Sequence, residues 1–326
     1  MSSANLRNIA DDSEITPAKL IELLLNEQDN YCIGVLGSGL SANAYGNWSN
    51  LVEGLCSACN VKISKGTTTF DAETCIDLAE RALIADEKRF LKYISNNYGK
   101  FPWMPHVEIY QTIINLPFRS FVTTNYDDSL DYYRRLLKPD MRKYVFPCLD
   151  VTRLADGAIF YLHGKASDHR NDPNNIILSR SSFEKAYKVG EDLHGFWNNI
   201  FKYRSVVVIG SSLDDPYVRN IMSICKQARE HLDPDLNKTR RIIIIKSPKT
   251  EGGYEYMQEN TPSKRAPSKN TELSKYAAEY GFEVWTYESD NSTSCSHANL
   301  YYFLEDAAKI SPIQNNNSFT KTTLFS

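Results

Sequence analysis

The 326-residue sequence has no hydrophobic run long enough to cross a lipid bilayer. Its longest apolar runs, at 206–209 and 242–245, have the length of a buried strand, whereas a membrane helix needs about 20 apolar residues. The first residues are polar, with Ser2, Ser3 and Asn5 among them, and do not resemble a secretory signal. We therefore predict a cytoplasmic protein that does not bind membranes.

The chain also lacks a strong charge of either sign. Lys and Arg number 37 and Asp and Glu number 40, which gives a formal net charge of −3. Proteins that bind nucleic acids neutralise backbone phosphates with clustered Lys and Arg. We therefore expect no direct binding of nucleic acid.

Closely spaced cysteines are almost absent. The chain has seven cysteines, an odd number that fits a reducing compartment better than a disulfide framework. Only Cys56 and Cys59 form a close pair, and a structural zinc site needs four ligands. The pair lies in an apolar helical pattern with Leu51, Val52 and Leu55. We predict that the cysteines are core residues and that the protein binds no metal.

Strand and helix patterns alternate along the chain. Strands are predicted at 31–36, 118–122, 158–162, 206–209, 241–245 and 282–287, with a shorter one at 144–146. This alternation predicts an α/β fold, a doubly wound, mostly parallel Rossmann-like sheet. The segment 70–98 has a helical pattern with a break near Asp86, which indicates a small helical insertion at about 66–116.

Three segments divide the chain in this interpretation. Residues 1–30 form an N-terminal helical segment, because Thr16 and Pro17 are typical of a helix start. Residues 31–310 form the main domain. Residues 311–326 are rich in Asn, Ser and Thr and form a polar tail that we expect to be disordered.

Four of the predicted strands end in small or polar residues. Because ligands of an open parallel sheet bind outside the carboxyl ends of its strands, these residues are candidates for one site. The candidate site residues are Gly37, Ser38, Gly39 and Ser41 after the first strand, Thr124, Asn125 and Asp127 after the second, His163 after the third, and Gly210, Ser211, Ser212 and Asp214 after the fourth.

Several of these residues also have an ordinary structural explanation. A strand-to-helix turn needs glycine whatever it binds, and an Asp such as Asp127 or Asp215 caps the helix that follows it. The glycine loop lacks the third glycine of the dehydrogenase fingerprint, which disfavours hydride transfer. His163 is harder to explain structurally, because an imidazole at a strand end beside Gly164 is suitably placed for proton transfer.

Taken together, the motifs resemble the sirtuin superfamily, and in particular the sirtuin-like domains of bacterial antiphage defence proteins that destroy NAD. The resemblance covers roughly residues 31 to 220. The motifs that carry it, in chain order, are Gly37–Ser41, Gly46-Asn47-Trp48, Thr124-Asn125-Tyr126-Asp127, His163-Gly164 and Gly210-Ser211-Ser212 with Asp214-Asp215-Pro216. Deacetylating sirtuins carry zinc-binding cysteine pairs after the His-Gly, whereas residues 165–205 of this chain contain no cysteine.

The resemblance implies an NAD glycohydrolase that releases nicotinamide and ADP-ribose. Asn125 would orient the ribose and the attacking water, and His163 would act as general base. Asp127 would hold the nicotinamide carboxamide or the glycine loop, which would itself face the pyrophosphate. Gly210, Ser211 and Ser212 would lie on the adenosine side, and Thr124 and Asp214 would also bind NAD. NAD is the substrate in this interpretation, and no metal takes part.

The resemblance also implies an effector that rests until it is activated. We expect a separate activating protein, such as a DNA-translocating ATPase or an Argonaute-type protein, and self-association into a homo-oligomer. Two other functions remain open at this point. An NAD-dependent protein deacylase would turn NAD over only with an acylated peptide, and a non-catalytic NAD or ADP-ribose sensor would bind without turnover.

Overall fold

The computed structural model describes residues 6–11, 13–26, 32–63, 70–100, 108–168, 172–211, 215–230, 239–246, 279–288 and 297–312. These residues form a nine-stranded sheet with helices on both faces. The strands are β1 (Leu6–Asn8), β2 (Glu14–Ile15), β3 (Ile33–Leu36), β4 (Ser120–Thr123), β5 (Arg142–Val145), β6 (Ala158–Tyr161), β7 (Val206–Ile209), β8 (Arg241–Lys246) and β9 (Glu283–Tyr287).

The sheet is mostly parallel. Its strand order is β2-β1-β9-β8-β7-β3-β4-β6-β5, and β1 is antiparallel to both of its neighbours while all strands from β9 to β5 pair in parallel. The central strands β3, β4, β6 and β7 are buried along their whole length, which is typical of parallel strands covered on both faces. The predicted doubly wound Rossmann-like fold is confirmed.

The helices begin at residues that the sequence marks clearly. Asn47, Asp71, Asp86 and Ser179 each accept a hydrogen bond from the backbone N–H three residues later, which satisfies an amide that the helix leaves unpaired. The helices are α1 (Pro17–Asn26), α2 (Ala42–Tyr45), α3 (Trp48–Ala58), α4 (Ala72–Ala85), α5 (Glu87–Tyr98), α6 (Ile109–Asn115), α7 (Ser129–Leu137), α8 (Arg180–Ala186), α9 (Asp192–Tyr203), α10 (Pro216–Glu230) and α11 (Ala298–Ile310).

Helices α1, α6, α7 and α11 cover one face of the sheet, and α8, α9 and α10 cover the other. On the first face, Tyr110 and Phe303 pack with strand residues such as Trp285. On the second face, Trp197 and Phe183 pack with strand residues that alternate with those of the first. Each strand therefore contributes side chains to two separate apolar layers.

Helices α3, α4 and α5 form a small bundle with its own apolar core, which we call the helical insertion. Cys56, Cys59 and Cys75 are buried in that core. Burial raises the pKa of all three thiols, that of Cys75 to about 11, so they remain protonated at neutral pH. A thiol must lose its proton to bind zinc, so the environment of these cysteines favours a packing role.

The structure differs from the sequence prediction at three places. Residues 6–15, placed in a helical segment, also contribute β1 and β2 to the sheet edge. Helix α3 packs with α4 and α5, so the helical insertion begins before residue 66, whereas α6 belongs to the layer of α1 and α7. Residues 176–178, whose apolar run Ile-Ile-Leu predicts an extended stretch, pair with no strand in the described part of the sheet.

Some predictions fall outside the described residues. The segment 247–270, whose Gly, Pro and Lys content predicts a polar loop, lies there, as do residues 313–326 of the predicted tail. Ser311 is described and is buried. Within the described residues, none of the helices combines the length and the apolar character needed to cross a bilayer.

Candidate functional site

The predicted site residues meet at the carboxyl ends of four adjacent strands. Strands β7, β3, β4 and β6 are neighbours in the sheet, and the strand order reverses between β3 and β7. Such a reversal opens a crevice in which α/β proteins bind ligands. A cavity lies at this position, lined by Gly37, Ser38, Ser41, Tyr45, Gly46, Asn47, Trp48, Leu51, Tyr98, Thr124, Asn125, Tyr126, Asp127, His163, Ser211 and Asp215.

Most of the predicted site residues therefore surround one cavity. Gly39 and Gly210 pack beside it without lining it. Ser212 and Asp214 lie outside the described residues. The sequence predicts Asp214 as a site residue and Asp215 only as a helix cap. In the structure, Asp215 caps a helix and also lines the cavity.

The two glycine turns pack directly against each other. The N–H of Gly37 donates to the carbonyl of Ile209 (2.9 Å), and the N–H of Gly39 donates to that of Gly210 (2.8 Å). A Cβ atom added to Gly37 would lie 2.4 Å from the oxygen of Gly210. These glycines are thus needed for contact between the turns. Because the amides of these glycines are already bonded, the hydroxyl of Ser38 is the loop group best placed to donate to a ligand.

Two hydrogen bonds fix the side chain of Asn125, and a third fixes its backbone. Its Nδ2 donates to the carbonyl of Gly37 (3.1 Å) and to the hydroxyl of Tyr110 (3.0 Å), and its backbone N–H donates to Thr123 Oγ1 (3.0 Å). Both amide protons are therefore used. Among the described residues no donor reaches Oδ1, so this oxygen is the part of the amide left for a ligand or a water.

Asp127 joins the β4 end to the glycine loop. Its Oδ2 accepts from the hydroxyl of Ser41 (3.0 Å), and its Oδ1 accepts from the N–H of Ser129 (3.0 Å) at the start of α7. Burial raises the pKa of this carboxyl above its usual range. Of the two roles predicted for Asp127, the contact with the glycine loop is the one that the protein itself supplies.

His163 is buried at the end of β6 and is neutral. Its Nε2 lies 2.7 Å from the hydroxyl of Tyr187 and 3.7 Å from Oδ2 of Asp215. Burial lowers the pKa of the imidazole to about 3. Gly164 follows with φ +85°, and a Cβ there would lie 2.0 Å from the oxygen of Asn175, so glycine is required beside the histidine.

Asp215 precedes α10 and lies between the cavity and His163. Its Oδ1 accepts from the N–H groups of Tyr217 (2.9 Å) and Val218 (3.2 Å). The first N–H groups of a helix have no carbonyl partner within the helix, and Asp215 supplies one here. Burial raises the pKa of this carboxyl to about 6. It is therefore mostly ionised at neutral pH despite its surroundings.

A buried lysine links the loops that carry Asp127 and His163. Lys165 is 2% exposed, and its Nζ lies 2.6 Å from Oδ1 of Asp128 and 3.4 Å from Oδ2 of Asp131. The backbone adds a second link, because the N–H of Ala166 donates to the carbonyl of Tyr126 (2.8 Å). The relative position of the two loops is thus fixed by charge as well as by packing.

Aromatic side chains from α2 and from the helical insertion form one wall of the cavity. Tyr45 and Tyr98 stack with ring centroids 5.5 Å apart, and Trp48 stands beside them at the start of α3. Nε1 of Trp48 is buried and has no hydrogen-bond partner among the described residues. No sequence pattern distinguishes Tyr45 or Tyr98, because the 20 tyrosines are scattered along the chain.

The described residues contain no group of three or more His, Cys, Asp or Glu side chains arranged to hold a metal ion.

A comparison with curated proteins finds no match. A family model described as a SIR2-like domain matches residues 119–283, a range that contains Asn125, His163 and Gly210. The match spans half of the 326 residues, and the chain belongs to the SIR2-like domain family.

Proposed function

We propose that this protein is an NAD glycohydrolase, which uses water to cleave the bond between nicotinamide and ribose. The products are nicotinamide, ADP-ribose and a proton. A SIR2-like domain indicates NAD-related activity. The observation that carries the proposal is the placement of Asn125 and His163 on one cavity, where Oδ1 of Asn125 has no donor among the described residues.

The chemistry requires stabilisation of positive charge on the ribose and delivery of a nucleophile. As nicotinamide leaves, charge develops in an oxocarbenium-like state, which buried acceptors such as Oδ1 of Asn125 can stabilise. The same oxygen can hold an attacking water, since the amide cannot rotate without losing its bonds to Gly37 and Tyr110. Positioning of this kind lowers the entropic barrier of the reaction.

His163 supplies the base in this proposal. It is neutral at physiological pH and can take the proton that water or a ribose hydroxyl releases. Asp127 holds Ser41 in place and so fixes the glycine loop beside the reacting groups. Ser38 and Thr124 offer hydroxyls to the phosphates and riboses, and Ser211 lies on the opposite side of the crevice.

Two observations favour water over an acylated peptide as the acceptor. The rings of Tyr45, Trp48 and Tyr98 form an aromatic wall on one side of the cavity. In addition, residues 165–205 contain no cysteine, so the zinc module that helps deacetylating sirtuins to receive a peptide is not encoded there.

The proposal extends to a role in antiphage defence, in which the activated enzyme depletes cellular NAD in the cytoplasm. The resemblance of the motifs to defence proteins supports it. In this view a separate protein, such as a DNA-translocating ATPase or an Argonaute-type protein, switches the enzyme on, and the active form is a homo-oligomer. Coexpression with the products of neighbouring genes tests which partner is required.

Incubation with NAD, followed by chromatography of the products, tests the proposed reaction. We expect nicotinamide and ADP-ribose in equal amounts, released without any acylated peptide, and increased when the activating partner is present. Turnover that depends on an acylated peptide would identify a deacylase. Binding of NAD by calorimetry with no turnover, alone or with partners, would identify a sensor and contradict the proposal.

A further inference from the structure

A group of buried polar side chains surrounds the Nε2 edge of His163. Tyr187 follows α8, Trp197 lies within α9, and Asp215 precedes α10. Tyr187 and Asp215 approach Nε2 itself, and Trp197 contacts Tyr187 from behind. Tyr187 and Trp197 are almost fully buried, and Asp215 is 16% exposed. The proposed base is therefore held on this side by groups that the mechanism above does not use.

The hydrogen bonds in this group determine where the proton of His163 resides. Trp197 Nε1 can only donate, and it donates to the hydroxyl oxygen of Tyr187 (3.1 Å). The Tyr187 proton then has one acceptor among the described residues, which is His163 Nε2 at 2.7 Å. This arrangement places the imidazole proton on Nδ1 and leaves the lone pair on Nε2.

Asp215 places a negative charge at the cavity wall, close to Nε2 of His163. It lines the cavity, and its Oδ2 lies 3.7 Å from Nε2, the shortest approach of a carboxylate to this ring among the described residues. Burial opposes a charged imidazole, so a proton that arrives at Nε2 requires a nearby anion. Tyr187 turns its O–H away before Nε2 takes this proton, and its hydroxyl oxygen then accepts from Nε2–H.

We propose that Tyr187 and Asp215 are positioning residues for His163. Tyr187 keeps the lone pair on Nε2, and the carboxylate of Asp215 stabilises the imidazolium that forms when Nε2 takes a proton from water or from a ribose hydroxyl. The proton leaves to solvent after nicotinamide and ADP-ribose have formed. This inference rests on the proposed NAD hydrolysis for its catalytic consequence, but the state of His163 can be measured without NAD.

The charge of Asp215 depends on groups that reach it from several elements. His163 follows β6, Tyr126 lies between β4 and α7, Tyr187 follows α8, Arg219 lies on α10, and Glu73 lies on α4. Arg219 favours the ionised carboxylate and Glu73 opposes it, while burial is the largest influence. Activity should therefore fall as the pH decreases through about 6, where Asp215 gains its proton.

Nitrogen-15 NMR of the histidines tests the proposal without substrate. The six histidines give few signals, and the His163→Ala variant assigns the relevant one. We expect the proton on Nδ1 in the parent and a shift toward the other tautomer in Tyr187→Phe, which loses only the hydroxyl. A parent with its proton on Nε2, or an unchanged tautomer in Tyr187→Phe, would overturn the role of Tyr187.

The variant Asp215→Asn tests the charge while keeping the helix cap, because an asparagine oxygen can still accept from Tyr217 and Val218. In NMR titration, we expect the His163 signals of the parent to shift near pH 6, where Asp215 gains its proton, and this shift to be absent in Asp215→Asn. In assays, kcat should fall on the order of 100-fold, with the KM for NAD little changed and the descent near pH 6 lost. Asp71→Asn, which alters the cap of α4 away from the cavity, is the matched control and should behave as the parent.

These readouts separate the two proposals. If the parent protein cleaves no NAD, the proposed function fails. The NMR titration still decides whether the ionised carboxylate of Asp215 acts on His163. If the parent cleaves NAD and Asp215→Asn has the parent's kcat and the parent's histidine titration, the proposed function stands and the inference is overturned.

Discussion

At the scale of single residues, the burial of His163 makes the stability of the protein depend on pH. The folded histidine has a pKa of about 3, whereas an unfolded one has an ordinary value near 6.5. Between these values the unfolded chain binds a proton that the folded chain excludes. Stability is therefore complete above about pH 6.5 and decreases as the pH falls toward 3.

Denaturant unfolding at pH 7 and pH 5 measures this effect. We expect His163→Gln, which cannot titrate, to lose less stability between the two pH values than the parent, by up to about 1.4 kcal/mol per pH unit. His194→Gln, on a partly exposed position of α9, is the control and should follow the parent. Equal pH dependence in the parent and in His163→Gln would show that the imidazole is not excluded from protonation when folded.

At the scale of elements, the contact between the two glycine turns decides how β3 and β7 present the site. Gly37→Ala would place a methyl group 2.4 Å from the oxygen of Gly210, and the crowding should cost on the order of 1–3 kcal/mol. Gly195→Ala is the matched control, because nothing lies within 4 Å of the added Cβ in α9, and it should stabilise the protein by roughly 0.5–1 kcal/mol.

Thermal or denaturant unfolding of both variants compares the two effects. Opposite signs are expected, with Gly37→Ala less stable and Gly195→Ala more stable than the parent. A Gly37→Ala protein as stable as the parent would mean that the turns can separate without cost. For the same reason, a bulky residue at Gly39 would report on packing of the turns as well as on phosphate binding, since its Cβ would lie 2.8 Å from the oxygen of Gly210.

The elements also show which parts of the site can be predicted from sequence. Asn125, His163 and Ser211 were predicted because each follows an apolar strand, and parallel strands end at one edge of a sheet. Tyr187, Trp197 and Tyr98 reach the site from helices, and their positions depend on tertiary packing that no local pattern encodes. Asp215 was missed because capping of α10 already explained it.

The fold was predicted well for a related reason. Strands β3, β4, β6 and β7 are apolar on both faces and are bounded by polar turns, so periodicity and length identify them. Strands β1 and β2 have three and two residues, which is too short for a pattern to register. The two strands join the rest of the sheet only where β1 pairs with β9, which lies more than 260 residues later in the chain.

At the scale of the whole molecule, the site depends on three parts of the chain that fold onto one another. The loops after β4 and β6 supply Asn125 and His163, α2 and the helical insertion supply the aromatic wall, and α8 to α10 supply the groups behind the histidine. The matched SIR2-like region at 119–283 contains β4, β6 and α8 to α10. The glycine loop and the helical insertion precede that region.

The measurement that tests the account most directly is nicotinamide release from NAD by the parent, Asn125→Ala and His163→Ala. The account predicts steady release by the parent and a loss on the order of 100-fold or more in both variants, because neither solvent nor a neighbouring group can replace a fixed buried amide or a buried base. Asn174→Ala, whose side chain bonds Asp172 away from this cavity, should release nicotinamide like the parent. Folded Asn125→Ala and His163→Ala proteins that cleave NAD at the parent rate would contradict the account.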